Sequence, residues 1–141
     1  VKEALARRLE GLSHPEWIPA MVVLIDNTPW FRWHDSGDLQ SVQHLKNIFE
    51  VCKLTPGTRH WLPTREARFL IYWPFGENVP KNLIIRLSGH MIDGKNATWW
   101  RWKSSVSTKR KTCPACDQGN RCLSCRRCWS RSIPNVTYPK H

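Results

Sequence analysis

The sequence predicts a small α/β domain: a mixed sheet with a βαβ unit, followed by an irregular, cysteine-rich, metal-binding C-terminal segment. Three observations support this fold class. In the first 102 of 141 residues, apolar runs of strand length alternate with stretches of helical periodicity. Five of the six cysteines fall in residues 103–141. The same residues carry nine Lys or Arg and one Asp, which is +8 of the formal net charge of +11.

Composition sets the size of the core. A hydrophobic fraction of 40% allows one modest core, so we expect a single domain over residues 1–141, with an α/β core (1–102) and a basic cluster-binding segment (103–141). The apolar run from Met21 to Ile25 is far shorter than the ~20 residues of a membrane span. No charged start followed by an apolar stretch stands at Val1, so we expect neither secretion nor membrane insertion.

The first elements follow from periodicity. Apolar residues at helical spacing predict a helix over residues 1–12, which ends at Gly11 and Pro15. The continuous, β-branched run over residues 20–25 predicts a buried strand. A turn over residues 26–29 then leads to a second strand over residues 30–34.

The next stretch predicts the βαβ unit. The loop Asp35-Ser36-Gly37-Asp38 is typical of a helix start and places an N-cap before a helix over residues 39–54. That helix has apolar side chains on one face and is stopped at Thr55-Pro56-Gly57. A third strand over residues 59–62 completes the unit, and a crossover of this length favours parallel pairing.

The remaining chain is less regular. Residues 65–73 predict a short second helix that ends at Pro74, and residues 82–87 predict the clearest strand. Residues 99–102, Trp-Trp-Arg-Trp, are typical of either a strand or an aromatic platform. From Lys103 onward the aliphatic residues are widely separated, so this segment needs a cross-link or a metal to fold.

The cysteine spacing offers three candidates for this cross-link or metal. Disulfides are one, but no secretion signal accompanies them and Cys52 stands alone on an apolar helix face. Zinc is the second: Cys113/Cys116 and Cys122/Cys125 are Cys-x2-Cys pairs, although only five residues separate them and Cys128 is left over.

A 4Fe–4S cluster is the third candidate and the one we favour. The run Cys122-x2-Cys125-x2-Cys128 can place three thiolates on three iron corners, and a remote cysteine supplies the fourth ligand. Cys113, which precedes Pro114, is the first choice for that ligand, and Cys116 competes with it. Nearby arginines would offset the net negative charge of such a centre.

Three motifs in this order resemble those of the phage gene product eighty-eight family, whose members are loosely associated with rolling-circle replication. They are Trp30-Phe-Arg-Trp-His-Asp-Ser-Gly-Asp38, Asn82-Leu-Ile-Ile-Arg-Leu-Ser88 and the closing cysteine motif up to Trp129. The resemblance implies a bacteriophage protein acting in the host cytoplasm and an iron–sulfur cluster. It assigns the ligands to Cys113, Cys122, Cys125 and Cys128, and leaves Cys116 as an extra thiol.

Two further features admit two interpretations each. His34, with Asp35 or Asp38, is a candidate acid/base or metal site, whereas the alternative is that this loop only caps the next helix. The nine tryptophans either build the core or, at residues 99–102, form a stacking platform for nucleic acid. Trp129 is expected to shield the metal from water.

Two functions therefore compete. The first is an iron–sulfur protein with a redox or electron-transfer role and a redox partner. The second is a DNA- or RNA-binding, replication-associated module in which a zinc or iron–sulfur site is structural. For the second, the candidate phosphate-binding residues are Lys109, Arg110, Lys111, Arg126 and Arg127. No motif defines a reaction, so whether the chain is an enzyme stays open.

Overall fold

The computed structural model describes residues 2–34 and 37–140. The α-helices and strands of these residues follow one another along the chain as α1 (Lys2–Gly11), α2 (Trp17–Ile25), β1 (Trp30–Arg32), α3 (Val42–Leu54), β2 (Arg59–Thr64), β3 (Leu83–Ser88), β4 (Lys103–Ser107) and β5 (Asn135–Pro139). The fold is therefore of the α/β class that the sequence predicts.

The sheet is parallel throughout. Its five strands stand in chain order, and each neighbouring pair is parallel. The prediction of a mixed sheet is wrong, because every connection between the strands is a crossover rather than a hairpin. The carboxyl ends of all five strands consequently lie at one edge, where ligands bind in parallel α/β proteins.

The βαβ unit over β1, α3 and β2 is confirmed. Ser41 caps α3, and its side chain accepts a hydrogen bond from the His44 backbone N–H at 3.0 Å. The cap therefore lies three residues beyond the predicted loop, of which Asp35 and Ser36 fall outside the described residues. The buried face of α3 packs on the sheet through apolar side chains, namely Leu45, Ile48, Phe49, Val51 and Cys52.

The predicted strand over residues 20–25 is instead the helix α2. A short apolar run does not by itself distinguish a strand from a buried helix segment. Trp17, Met21 and Ile25 pack against the core on one side of this helix. Val23 and Leu24 on the other side are 77% and 75% exposed. Both sides of α2 are apolar, so its buried side differs from its exposed side in packing and not in polarity.

Three other sequence predictions need correction. Residues 65–73 contain only a short 3-10 turn (Ala67–Phe69) in place of a second helix. Residues 99–102 are not a strand but carry Trp100 and Trp102 into the interior. The segment 103–141 is not irregular throughout, because β4 and β5 lie within it and extend the sheet.

Side chains alternate between the two faces of the sheet. On one face, Leu62, Leu83 and Ile85 join α2 and α3 in the main core. On the other face, Trp61, Ile84, Trp102 and Val136 form a smaller cluster that includes Cys113 and Cys128. The chain between β4 and β5 therefore covers the face opposite α3.

Candidate metal centre

Four cysteines meet at one small cavity on this second face. Cys113, Cys122, Cys125 and Cys128 line it together with neighbours that include Trp129 and Val136. Cys116 does not line this cavity and faces an adjoining cleft. The four thiols that the sequence assigns as ligands therefore border one cavity, and Cys116 lines the adjoining cleft together with Cys113, Cys122 and Cys128.

Local backbone structure explains how the thiols converge. The N–H groups of Thr112 and Cys113 both donate to the Thr137 carbonyl, which fixes Cys113 beside β5. A tight turn closed by the Cys125 N–H and the Cys122 carbonyl (2.8 Å) brings these two cysteines together. A 3-10 turn over Arg127–Trp129 then places Cys128 against the sheet.

Arg86 on β3 organises the chain around Cys128. Its side chain is fully buried and donates hydrogen bonds to backbone carbonyls only, at 2.9–3.1 Å, on Cys128, Arg127, Ser130 and Lys103. Desolvation lowers the pKa of Arg86 from its ordinary value, whereas Cys128 and Tyr138 act to raise it. The sequence analysis did not single out this residue, although one charged side chain within an apolar strand is an available signal.

Cys128 is the least exposed of the four thiols. Burial raises its pKa, whereas the Tyr138 hydroxyl, 3.3 Å from its sulfur, and the Arg86 guanidinium act in the opposite direction. Trp129 lines the same cavity, and its indole N–H donates a hydrogen bond to the Phe31 carbonyl at 3.1 Å. These contacts hold one wall of the cavity in place.

All six cysteines are free thiols in the structure, so no disulfide cross-links the segment. Cys52 is separate from the other five: it lies in the main core, where burial raises the pKa of its thiol. Within residues 2–34 and 37–140, no three His, Cys, Asp or Glu side chains are close enough to hold a single metal ion. The four thiols thus border a shared cavity without converging on one point.

The five predicted nucleic-acid-binding residues lie in different places. Lys109 and Arg110 line a cleft at the end of β4, away from the four-thiol cavity. Lys111 donates hydrogen bonds to the side chains of Asp117 and Cys116, and the bond to Asp117 raises the pKa of Lys111. Arg127 is exposed and lines the cavity, whereas Arg126 lines a separate groove.

That groove collects cations from distant parts of the chain. Arg59, Lys81, Arg126 and Arg131 all line it, and none of its described lining residues is acidic. Arg59 and Arg126 each lie 5.3 Å from the centre of the Trp30 ring. We name this surface the Trp30 groove. Sequence analysis missed it because its cations are dispersed along the chain.

The loop before α3 has a structural role. The Asp38 carboxylate accepts hydrogen bonds from the Thr64 hydroxyl and the backbone N–H groups of Arg65 and Leu39. It thereby ties the loop to the end of β2. His34 packs 5.4 Å from the His44 ring and does not line the four-thiol cavity, so the structure gives it no role at the cysteines.

Stability should fall as the pH is lowered from about 6.5 to about 4. Burial lowers the pKa of His44 and of His60 from 6.5 to about 4. Between these values the unfolded chain binds protons that the folded chain does not, so acid reduces the free energy of unfolding. Urea unfolding across this pH range measures the slope. A His60→Gln variant should show a shallower slope, and an unchanged slope would contradict this assignment.

Fold and site together define a small parallel α/β protein with four grouped thiols on one face of its sheet. The family model for Gene product 88 matches residues 1–131, which include all six cysteines. The chain belongs to this family of phage proteins, and the resemblance found in the sequence is confirmed. No curated protein and no solved structure matches the chain. In the described residues, no helix is long and apolar enough to cross a membrane.

Proposed function

We propose that this phage protein binds a 4Fe–4S cluster through Cys113, Cys122, Cys125 and Cys128 and has a redox or electron-transfer role in the host cytoplasm. The observation that carries the proposal is the arrangement of four free thiols around one cavity beside a buried guanidinium. Each residue of the proposed ligand set borders that cavity, whereas Cys116 lies outside it.

Charge balance supports an anionic centre at this position. The Arg86 guanidinium is buried, and the partners of its hydrogen bonds are neutral carbonyls. A buried cation without a nearby anion is costly, because it has lost its hydration and gained no opposite charge. A cluster ligated by four thiolates carries a net negative charge next to Arg86 and would balance it.

The sequence run Cys122-x2-Cys125-x2-Cys128 favours a cluster over zinc. A structural zinc ion needs four ligands at about 2.0–2.3 Å from a single point. A cubane binds each thiolate at a different iron and so suits sulfurs placed around a cavity. Zinc remains the alternative occupant, because four thiols are also a common zinc ligand set.

When bound, the cluster would supply reversible one-electron chemistry. The chain's own residues would set the environment of that chemistry. Arg86 holds the 127–130 turn and places positive charge beside Cys128, which favours the reduced state. Trp129 lines the cavity and would limit the access of water, and the Tyr138 hydroxyl, 3.3 Å from the Cys128 sulfur, would donate a hydrogen bond to a ligating thiolate. A redox partner is part of this proposal.

Redox titration of the anaerobically purified protein tests the role. The proposal predicts a reversible electron paramagnetic resonance signal that appears and disappears with one midpoint potential. Arg86→Lys retains the positive charge and should shift that potential less than Arg86→Gln does. A cluster that is destroyed by the first reduction, or a signal that never changes, would contradict an electron-transfer role.

The Trp30 groove supports a second candidate function, nucleic-acid binding. Its four cations can neutralise phosphates, and no described lining residue is acidic. The guanidiniums of Arg59 and Arg126 are held on Trp30, and planar guanidiniums of this kind stack on unpaired bases. Single-stranded DNA or RNA is therefore the partner that the groove fits, and the metal centre would be structural in this case.

Binding to a fluorescent single-stranded oligothymidylate tests the second candidate. The double variant Arg59→Gln/Arg126→Gln should bind at least about tenfold more weakly and lower the slope of log K against log salt by about 1.4, since two phosphate contacts are lost. Arg101→Gln is the control, because Arg101 stacks on Trp102 and lies outside the groove. An equal loss of affinity in the Arg59→Gln/Arg126→Gln variant and in Arg101→Gln, or no binding by the unmodified protein at low salt, would exclude the groove as the binding site.

A further inference from the structure

A second cleft lies at the edge of the sheet where the strands end. It has a volume of about 660 Å³ and borders Arg32, Ser88, Ser105 and Pro139, which lie at or near the carboxyl ends of β1, β3, β4 and β5. Arg65, the residue after β2, also lines it. All five strands therefore contribute to one cleft at the edge where parallel sheets bind ligands. We name it the strand-end cleft.

The strand-end cleft is positively charged. Arg32 and Arg65 are its charged lining residues, and both are exposed. Neither takes part in an ion pair with another described residue. Two guanidiniums match the charge of a phosphate monoester, which carries about −1.5 to −2 at neutral pH, and their planar forks bind phosphate oxygens in pairs.

Neighbouring residues hold the side chain of Arg32 and the backbone of Arg65 in position. The Arg32 guanidinium lies 4.9 Å over the centre of the Trp61 ring, which leaves its N–H edges available. The backbone of Arg65 is fixed by the Asp38 carboxylate, which accepts its N–H at 2.8 Å. Such preorganisation reduces the entropy lost on binding.

The remaining lining suits an organic group attached to the phosphate. Trp61, Val106 and Pro139 supply apolar surface, and Ser105 and Asn120 supply hydrogen-bonding groups. A cleft of about 660 Å³ lies in the range that small-molecule and cofactor sites occupy. We propose that the strand-end cleft binds a small organic phosphate monoester of about mononucleotide size.

The cleft also adjoins the thiols. Cys113, Cys122 and Cys128 line both the cleft and the four-thiol cavity. A bound molecule would therefore lie next to the metal centre, and this part of the inference rests on the proposed cluster. The anion site itself depends on Arg32 and Arg65 and is independent of the metal.

Calorimetric titration of the anaerobically purified protein with adenosine 5′-monophosphate tests the anion site. We expect saturable binding that is absent with adenosine and weaker with inorganic phosphate. Arg32→Gln and Arg65→Gln should each weaken binding by about tenfold, which corresponds to about 1.4 kcal/mol. The exposed residue Arg101 again provides the control, because Arg101→Gln removes a stacked arginine outside the cleft.

Three results would overturn the proposal: no saturable binding, equal binding of adenosine, or a loss of binding in Arg126→Gln but not in Arg32→Gln. Visible circular dichroism of the cluster should change on binding, because the cleft and the cavity share three thiols. If the protein contains no cluster but still binds the monophosphate through Arg32 and Arg65, the anion site stands and the proposed redox function fails.

Discussion

Replacing Cys122 with alanine should remove most of the iron and acid-labile sulfide from the protein. Loss of a partner outside the ligand shell already lowers metal affinity by about 10- to 100-fold, and loss of a ligand should cost more. Cys122 is exposed, so its removal leaves no hole in the core. Any loss of iron can then be assigned to the missing ligand rather than to unfolding.

Cys116 provides the matched control for this experiment. It is half-buried, belongs to the same segment and lines the strand-end cleft, but it does not line the four-thiol cavity. Cys116→Ala should retain the iron and sulfide content of the unmodified protein. If Cys116→Ala loses iron while Cys122→Ala keeps it, the assignment of the ligands is wrong.

Replacing Arg86 with leucine should lower the free energy of unfolding by about 3 kcal/mol or more. The four carbonyls that accept hydrogen bonds from Arg86 would lose their donor. Each unsatisfied buried polar group costs roughly 1–3 kcal/mol. Urea unfolding of the anaerobically purified protein measures the change. The expected consequence is a loosened 127–130 turn and a lower metal content.

Two companion variants keep this prediction testable if Arg86→Leu does not fold. Arg86→Lys retains the charge but cannot reach four carbonyls, so it should lose less stability than the leucine variant. Arg127→Gln changes an exposed arginine in the same turn and should alter stability by no more than about 0.5 kcal/mol. A loss at Arg86 as small as that at Arg127 would show that the buried guanidinium does not organise the segment.

Local patterns in the sequence were sufficient for the βαβ unit. The helical spacing of α3 and its stop at Thr55-Pro56-Gly57 are local signals. The strand β3 was likewise predictable, because its apolar run is interrupted only by Arg86 before it ends at Ser88. Residues 20–25 carry no polar residue to mark a face, so period alone could not separate α2 from a strand.

Strands that are stabilised by pairing with distant parts of the chain could not be predicted from local sequence patterns. β4 is Lys-Ser-Ser-Val-Ser, which has little strand propensity, and it is held by pairing with β5 about 30 residues away. Side-chain hydrogen bonds, such as that between Ser105 and Thr137, replace the apolar packing of a typical parallel strand.

The grouping of the four thiols at the candidate site could be predicted from the sequence, whereas their surroundings could not. Cysteine spacing and the family resemblance name the four thiols that border the cavity. Arg86 reaches them only because β3 lies beneath the 127–130 turn, more than 40 residues further along the chain. The Trp30 groove and the strand-end cleft likewise combine side chains from separate crossovers, so no short motif identifies them.

The most direct test of the central claim is the iron, sulfide and zinc content of protein purified without oxygen. The account predicts iron and acid-labile sulfide in near-equal amounts, without stoichiometric zinc. Zinc in place of iron, or protein that contains neither sulfide nor a bound metal, would contradict it.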